Sequence, residues 1–135
     1  MPSDTLNLLS ADARAIFDAG VEAVQAPALL EAHCRLLEDA LRGRETAHVG
    51  GVGKAAMAMA GALEARFPEV GFMGEVTVPH GYPESFPSAL PHPTTLRVGT
   101  ASHPVPGIAN AAAGHKALAW AKSLGEDDLL IVLIS

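Results

Sequence analysis

The sequence predicts an α/β fold: three layers, α/β/α, around a mostly parallel sheet, with two helices before the first strand. Three observations point to it. From residue 46 onward, short apolar runs alternate with stretches of helical periodicity, the mark of βαβ units. The run Leu129-Leu130-Ile131-Val132-Leu133-Ile134 has no polar alternation, as in a central strand covered on both faces by helices. Between them, Ala47-His48-Val49-Gly50-Gly51-Val52-Gly53-Lys54-Ala55-Ala56 passes from an apolar run through three glycines into an alanine-rich pattern.

The elements follow in order. Ser10 reads as the N-cap of a first helix, with Asp12 in its first turn. Phe17, Val21 and Val24 recur at i, i+4 and i+7 beside Ile16, which makes one apolar face. Pro27 suits the first position of a second helix, in which Leu30, Cys34, Leu37 and Leu41 share a face. Both helices precede any strand and are expected to cap or flank the sheet. Residues 46–49 form the first strand and residues 54–67 a helix with Ala56, Ala60, Leu63 and Phe67 on one face. Pro68 stops it. Residues 74–78 are a second strand, ended by Pro79, and residues 80–93 carry four prolines and must be a loop. Residues 95–99 are a weaker third strand. Residues 110–124 are helical, with Ala113, Ala117, Trp120 and Leu124 together and Gly125 at C′. Asp127-Asp128 then leads into the last strand, on the solvated side away from its carboxyl end.

Composition narrows the function classes. At 135 residues the chain is one domain at most. Apolar residues make up 49% and charged residues only 18%, which supports a packed core and opposes disorder. The net charge of −6 leaves no basic footprint for nucleic acid or an anionic membrane. No apolar run reaches the roughly 18 residues of a membrane span, and the first residues lack the pattern of a signal peptide. A lone cysteine, Cys34, excludes an internal disulfide. A cytoplasmic protein is the simplest expectation.

The glycine–lysine segment is the strongest chemical signal. Glycines let backbone approach a ligand closely. The first amides of the following helix point at an anion, and the helix dipole favours it. Lys54 adds a full positive charge there. The candidates are therefore Gly50, Gly51, Gly53 and Lys54, for a phosphate or a carboxylate. The segment is not a Walker A loop, because His48 and Ala55 stand where that motif needs glycine and Ser or Thr. Gly51, Gly53 and Ala56 do match the dinucleotide pattern, but the second strand runs into Val78-Pro79-His80 with no acidic residue to hold a ribose. The alternative is that the glycines only permit a tight strand–helix turn and Lys54 is solvated.

Ligands bind beyond the carboxyl ends of strands in open parallel sheets. That brings in His103, in the loop His103-Pro104-Val105-Pro106, and Ser135, after the last strand. The alternative for the His103 loop is a rigid turn made by Pro104 and Pro106. No short ligand spacing joins the histidines, so no protein metal site is expected. His33, His48 and His115 read as structural residues satisfied by partners.

Four segments in order resemble one family. They are Val49-Gly50-Gly51-Val52-Gly53-Lys54-Ala55-Ala56, Gly74-Glu75-Val76-Thr77-Val78-Pro79-His80-Gly81-Tyr82, Ser102-His103-Pro104-Val105-Pro106, and Gly125-Glu126-Asp127-Asp128 with the apolar run up to Ser135. Together they resemble the type II glycerate kinases, the glycerate 2-kinases associated with a MOFRL domain, some of which have been labelled hydroxypyruvate reductases. The resemblance implies a Rossmann-like N-terminal domain and transfer of a phosphoryl group from ATP, with Mg²⁺, to D-glycerate, giving 2-phosphoglycerate. It puts Lys54 at the cleft. It also implies that residues 1–135 are the first part of that domain, an incomplete one, with a glycine-rich loop and a second domain beyond it. Gly107 stands where the family usually has an acidic residue. The other readings are an NAD(P)-dependent hydroxypyruvate reductase and a non-catalytic anion-binding module. A homo-oligomer is left open.

Overall fold

The computed structural model describes residues 2–135. Four strands form one all-parallel sheet in the order β3-β2-β1-β4. They are β1 (Thr46–Val52), β2 (Gly71–Pro79), β3 (Arg97–Ala101) and β4 (Leu130–Ile134). The helices are α1 (Pro2–Ala23), α2 (Ala26–Ala32), α3 (Cys34–Leu41), α4 (Ala56–Arg66) and α5 (Ile108–Lys122). The expected three-layer α/β/α arrangement with a parallel sheet is present.

The two faces of the sheet are packed unequally. Ala47 and Val49 of β1, Phe72, Val76 and Val78 of β2 and Leu133 of β4 are buried against α4. On α4, Ala56, Ala60 and Leu63 are buried, as the periodicity predicts, but so are Met57, Ala58 and Ala62. The reason is a second layer outside α4. There α2 and the proline-rich loop press on it, and a Cβ at Gly61 would collide with the Pro91 carbonyl. The opposite face carries only α5, which has no buried residue. Trp120 leans on the sheet there, edge-on to His48.

Several expectations change in three dimensions. The first helix starts at Pro2, so Ser10 lies inside it and caps nothing. The second helix is two helices, broken at His33, whose φ of −114° and ψ of 11° leave the helical range. The His33 ring there bonds the Leu29 carbonyl at 2.9 Å. Leu30, Cys34, Leu37 and Leu41 keep one inward side across the break. These helices do not flank the sheet; α2 lies on α4. The last strand pairs only with β1 among the described residues, and it leaves Val132 and Ile134 exposed on the α5 side. Within these residues the interior positions are held by β1 and β2. His48 is not satisfied either: its Nδ1 is buried without a partner, and Asp128 is 3.7 Å from its Nε2.

The loop between β2 and β3 is tied down by one carboxylate. Glu64, on α4, accepts from the Thr95 amide at 3.0 Å, the Leu96 amide at 2.8 Å, the Thr94 and Thr95 hydroxyls at 2.7 and 2.8 Å, and the Thr94 amide. Partial burial pushes the Glu64 carboxyl up. The bonds from Thr94, Leu96 and Thr95 outweigh that and hold it below its ordinary value. A depressed folded pKa means the stabilisation is complete above the ordinary value of 4.5 and is lost as pH falls through the lower folded value. Glu64→Gln is therefore expected to lower stability at pH 7 by about 1–2 kcal/mol, since a neutral amide cannot accept all these donors. It should also flatten the acid-side loss of stability. Urea unfolding of both proteins across pH 3–7 checks this, and parallel profiles would contradict it.

Candidate functional site

The site candidates gather at the carboxyl ends of the strands. There β1 is longer than its apolar run suggests: Gly50 and Gly51 are strand residues, paired with Glu75 and Val76 on one side and with Val132 and Leu133 on the other. The turn begins only at Gly53. Each glycine answers a different constraint. A Cβ at Gly51 would sit 2.7 Å from Val76 Cγ1 and 3.2 Å from Leu133 Cβ, so a side chain there would push the strands apart. Gly50 faces Trp120, and its Cβ would meet the indole at an ordinary 3.5 Å. Gly53 has φ of +109°, and a Cβ there would collide with the Ser135 carbonyl and hydroxyl oxygens.

The turn is tied to both neighbouring strands. The Gly53 amide donates to the Thr77 carbonyl at 3.0 Å, and the Ser135 amide donates to the Val52 carbonyl at 3.1 Å. The Ser135 hydroxyl accepts from the Ala55 amide at 2.9 Å. Both amides at the start of α4 are thus taken up within the chain, that of Ala55 by Ser135 and that of Ala56 by the Gly53 carbonyl at 3.2 Å. Lys54 is exposed in this turn, and no carboxylate of the described residues lies within ion-pair distance of it.

Beside the turn is a crevice of about 100 Å³ lined by residues that include Gly53, Thr77, Ser102, His103 and Asn110. No Asp or Glu lines it, although the chain carries a net charge of −6. The crevice can therefore receive an anion without meeting a like charge. His103 is exposed and its peptide bond to Pro104 is cis. Among the described residues no three His, Cys, Asp or Glu side chains converge on a point. Another crevice, about 150 Å³, lies between α5 and the middle of the sheet, around Gly50, Gly74, Glu75 and Trp120. It is the gap left where α5 rests on glycines, and Glu75 there is paired with Lys116 at 2.5 Å.

The family model described as a domain of unknown function, DUF4147, matches residues 12–135. The chain belongs to the DUF4147 family. This domain is found in MOFRL-associated glycerate kinases, so the resemblance carried by the four segments holds. The DUF4147 chain is 38% identical over 122 residues to a protein of Agrobacterium vitis provisionally named a hydroxypyruvate reductase, covering 90% of this chain and 25% of that protein. A second relative with the same name and source is 38% identical over 85 residues, covering 63% and 20%. The chain thus spans about a quarter of the length of the curated relatives it matches. Its fold is that of part of the crystal structure of a glycerate kinase from Thermotoga maritima, with a TM-score of 0.67 at 22% identity, covering 93% of this chain and 28% of that one.

For the DUF4147 chain, then, the structure brings Gly53, Lys54, His103 and Ser135 to one end of the sheet. It places Gly50 and Gly51 one step back, inside β1. The sequence reading did not single out Thr77 and Asn110, which also line the crevice. Thr77 was legible as a residue near the end of the second strand. Asn110 was legible only as a helix start.

Two substitutions separate the glycine roles. Gly53→Ala forces a side chain into a left-handed backbone and is expected to cost about 1–3 kcal/mol. Gly50→Ala meets only ordinary contact and should stay within about 0.5 kcal/mol of wild type. Equilibrium unfolding of the two variants measures both, and equal losses would contradict this division.

Proposed function

We propose that the protein to which this chain belongs is a glycerate 2-kinase, transferring a phosphoryl group from ATP to D-glycerate to give 2-phosphoglycerate. The observation that carries the reading is the position of Lys54. It is an exposed cation without a carboxylate partner, in the turn into α4, next to a carboxylate-free crevice lined by Gly53 and His103. Family membership and the fold shared with a glycerate kinase support the same reading.

The residues fit an anion. Lys54 offsets charge on a transferring phosphoryl group or holds the glycerate carboxylate, and a fixed cation needs no reorganisation as charge develops. The N-terminal end of the α4 dipole favours negative charge at the same place. His103 borders the same crevice and can donate a hydrogen bond from its ring. Bound ATP supplies the phosphoryl group; these residues position and neutralise. The residues lining the crevice do not fit a magnesium site, because none of them is a carboxylate. On this reading the chain is the first part of a larger Rossmann-like domain, and the protein works in the cytoplasm.

The names of the Agrobacterium vitis relatives favour a second reading, an NAD(P)-dependent hydroxypyruvate reductase. Gly51, Gly53 and Ala56 fit its pattern, but β2 ends in Val78-Pro79 and turns into His80, with no acidic residue for a ribose. An anion-binding module without catalysis is the third.

The test is an assay of the whole protein with ATP and D-glycerate. Turnover is expected, and Lys54→Ala should lower it about a hundredfold or more with the fold intact. Near wild-type turnover in that variant would remove Lys54 from the site. Oxidation of NADPH by hydroxypyruvate without ATP would favour the reductase, and phosphate binding with neither reaction would favour the module.

A further inference from the structure

The loop that carries His103 is held at its neck by a single side chain. It leaves β3 at Ser102 and returns to α5 at Gly107. His103, Pro104, Val105 and Pro106 between them are all exposed. Pro104 and Pro106 have no N–H, so the loop has few donors with which to brace itself. Asn110, half-buried in the first turn of α5, reaches both ends of the neck. Its Oδ1 accepts the Gly107 amide at 2.8 Å, and its Nδ2 donates to the Ser102 carbonyl at 3.0 Å.

The chemistry of the two ends requires a carboxamide. The Gly107 amide can only donate and the Ser102 carbonyl can only accept. The bridging group must therefore offer one acceptor and one donor side by side, as Asn does. The neck is also narrow. A Cβ at Gly107 would lie 3.2 Å from Ser102 Oγ, so even alanine there would crowd it. In this chain the side chain closing the loop comes from Asn110. Asn110 lines the same crevice as Gly53, Thr77 and His103.

We infer that Asn110 is a positioning residue, which fixes His103 over the crevice by bridging Ser102 and Gly107. It acts through His103 and not on the substrate. The inference that it matters for substrate rests on the kinase reading; the inference that it orients His103 does not.

The competing explanation is that Asn110 merely caps α5, since its bond to the Gly107 amide has that geometry. Asn110→Asp separates the two. Aspartate keeps the acceptor for the Gly107 amide, and its charge suits the N-terminal end of a helix. It loses the donor to Ser102 and puts two acceptors face to face. Asn110→Ala loses both bonds.

The measurement is NMR of the histidine rings in the whole protein, with D-glycerate and inorganic phosphate added in turn. In Asn110→Asp the His103 ring resonance should shift or broaden, while His92, packed on Phe86, stays in place. Its denaturation midpoint should match wild type, whereas that of Asn110→Ala should fall. D-glycerate affinity should drop roughly tenfold in Asn110→Ala, on the scale of about one to two lost hydrogen bonds, and further in Asn110→Asp, which also puts a carboxylate on the crevice. A His103 resonance unchanged in Asn110→Asp would overturn the inference and leave Asn110 a helix cap. A wild-type protein whose His103 resonance ignores D-glycerate would count against the substrate reading alone; the positioning role would then stand or fall on the His103 resonance of Asn110→Asp.

Discussion

The architecture depends on how closely three strands approach at the carboxyl end of β1. In parallel pairs the spacing is set by backbone hydrogen bonds, and any side chain must fit the gap above or below the sheet. At Gly51 that gap is already filled by Val76 and Leu133. At Gly53 it is filled by Ser135, and the backbone there has turned to a positive φ. With no side chain at these two positions, β1 can lie between β2 and β4 and still turn sharply into α4. Without that turn Lys54 would not stand at the strand ends, and the Ala55 amide would not meet Ser135.

Packing on the two faces then decides which parts of the site are rigid. The α4 side is dense, because α4 is pressed between the sheet and a second shell made by α2 and the proline-rich loop. Glu64 ties that loop to α4 through five accepted bonds, so the approach to β3 is set from the helix and not from the strand. Lys54 enters this well-packed unit. The α5 side is thin. Its helix packs along β3 and sets Trp120 on a surface cleared by Gly50 and Gly74. His103 lies at the start of the segment leading into α5, so its placement relies on local bonds more than on burial.

Much of this was legible in the chain. The strand–helix alternation, the parallel sheet, the inward face of α4, and the gathering of Gly53, Lys54, His103 and Ser135 at strand ends follow from periodicity and motif order. The errors share a cause. Ser10 looks like a cap because it has the right side chain, but propensity is weak against a helix that continues on both sides. The last strand is apolar on both faces, yet within the described residues it pairs on one side alone and leaves Val132 and Ile134 exposed, which an apolar run does not record. The break at His33 leaves the apolar face almost in register, so the pattern runs through it unmarked.

The sequence by itself determined the class of fold, the family and the charge at the turn, because these depend on residue types at short spacings along the chain. Tertiary structure decided which glycines serve the turn and which serve packing, since Gly50, Gly51 and Gly53 differ only in what faces the missing Cβ. It also decided that Asn110 closes the His103 loop, and that the crevice beside Lys54 has no carboxylate. Those facts concern groups brought together through space from separate strands and helices, and no local pattern records which of them will meet.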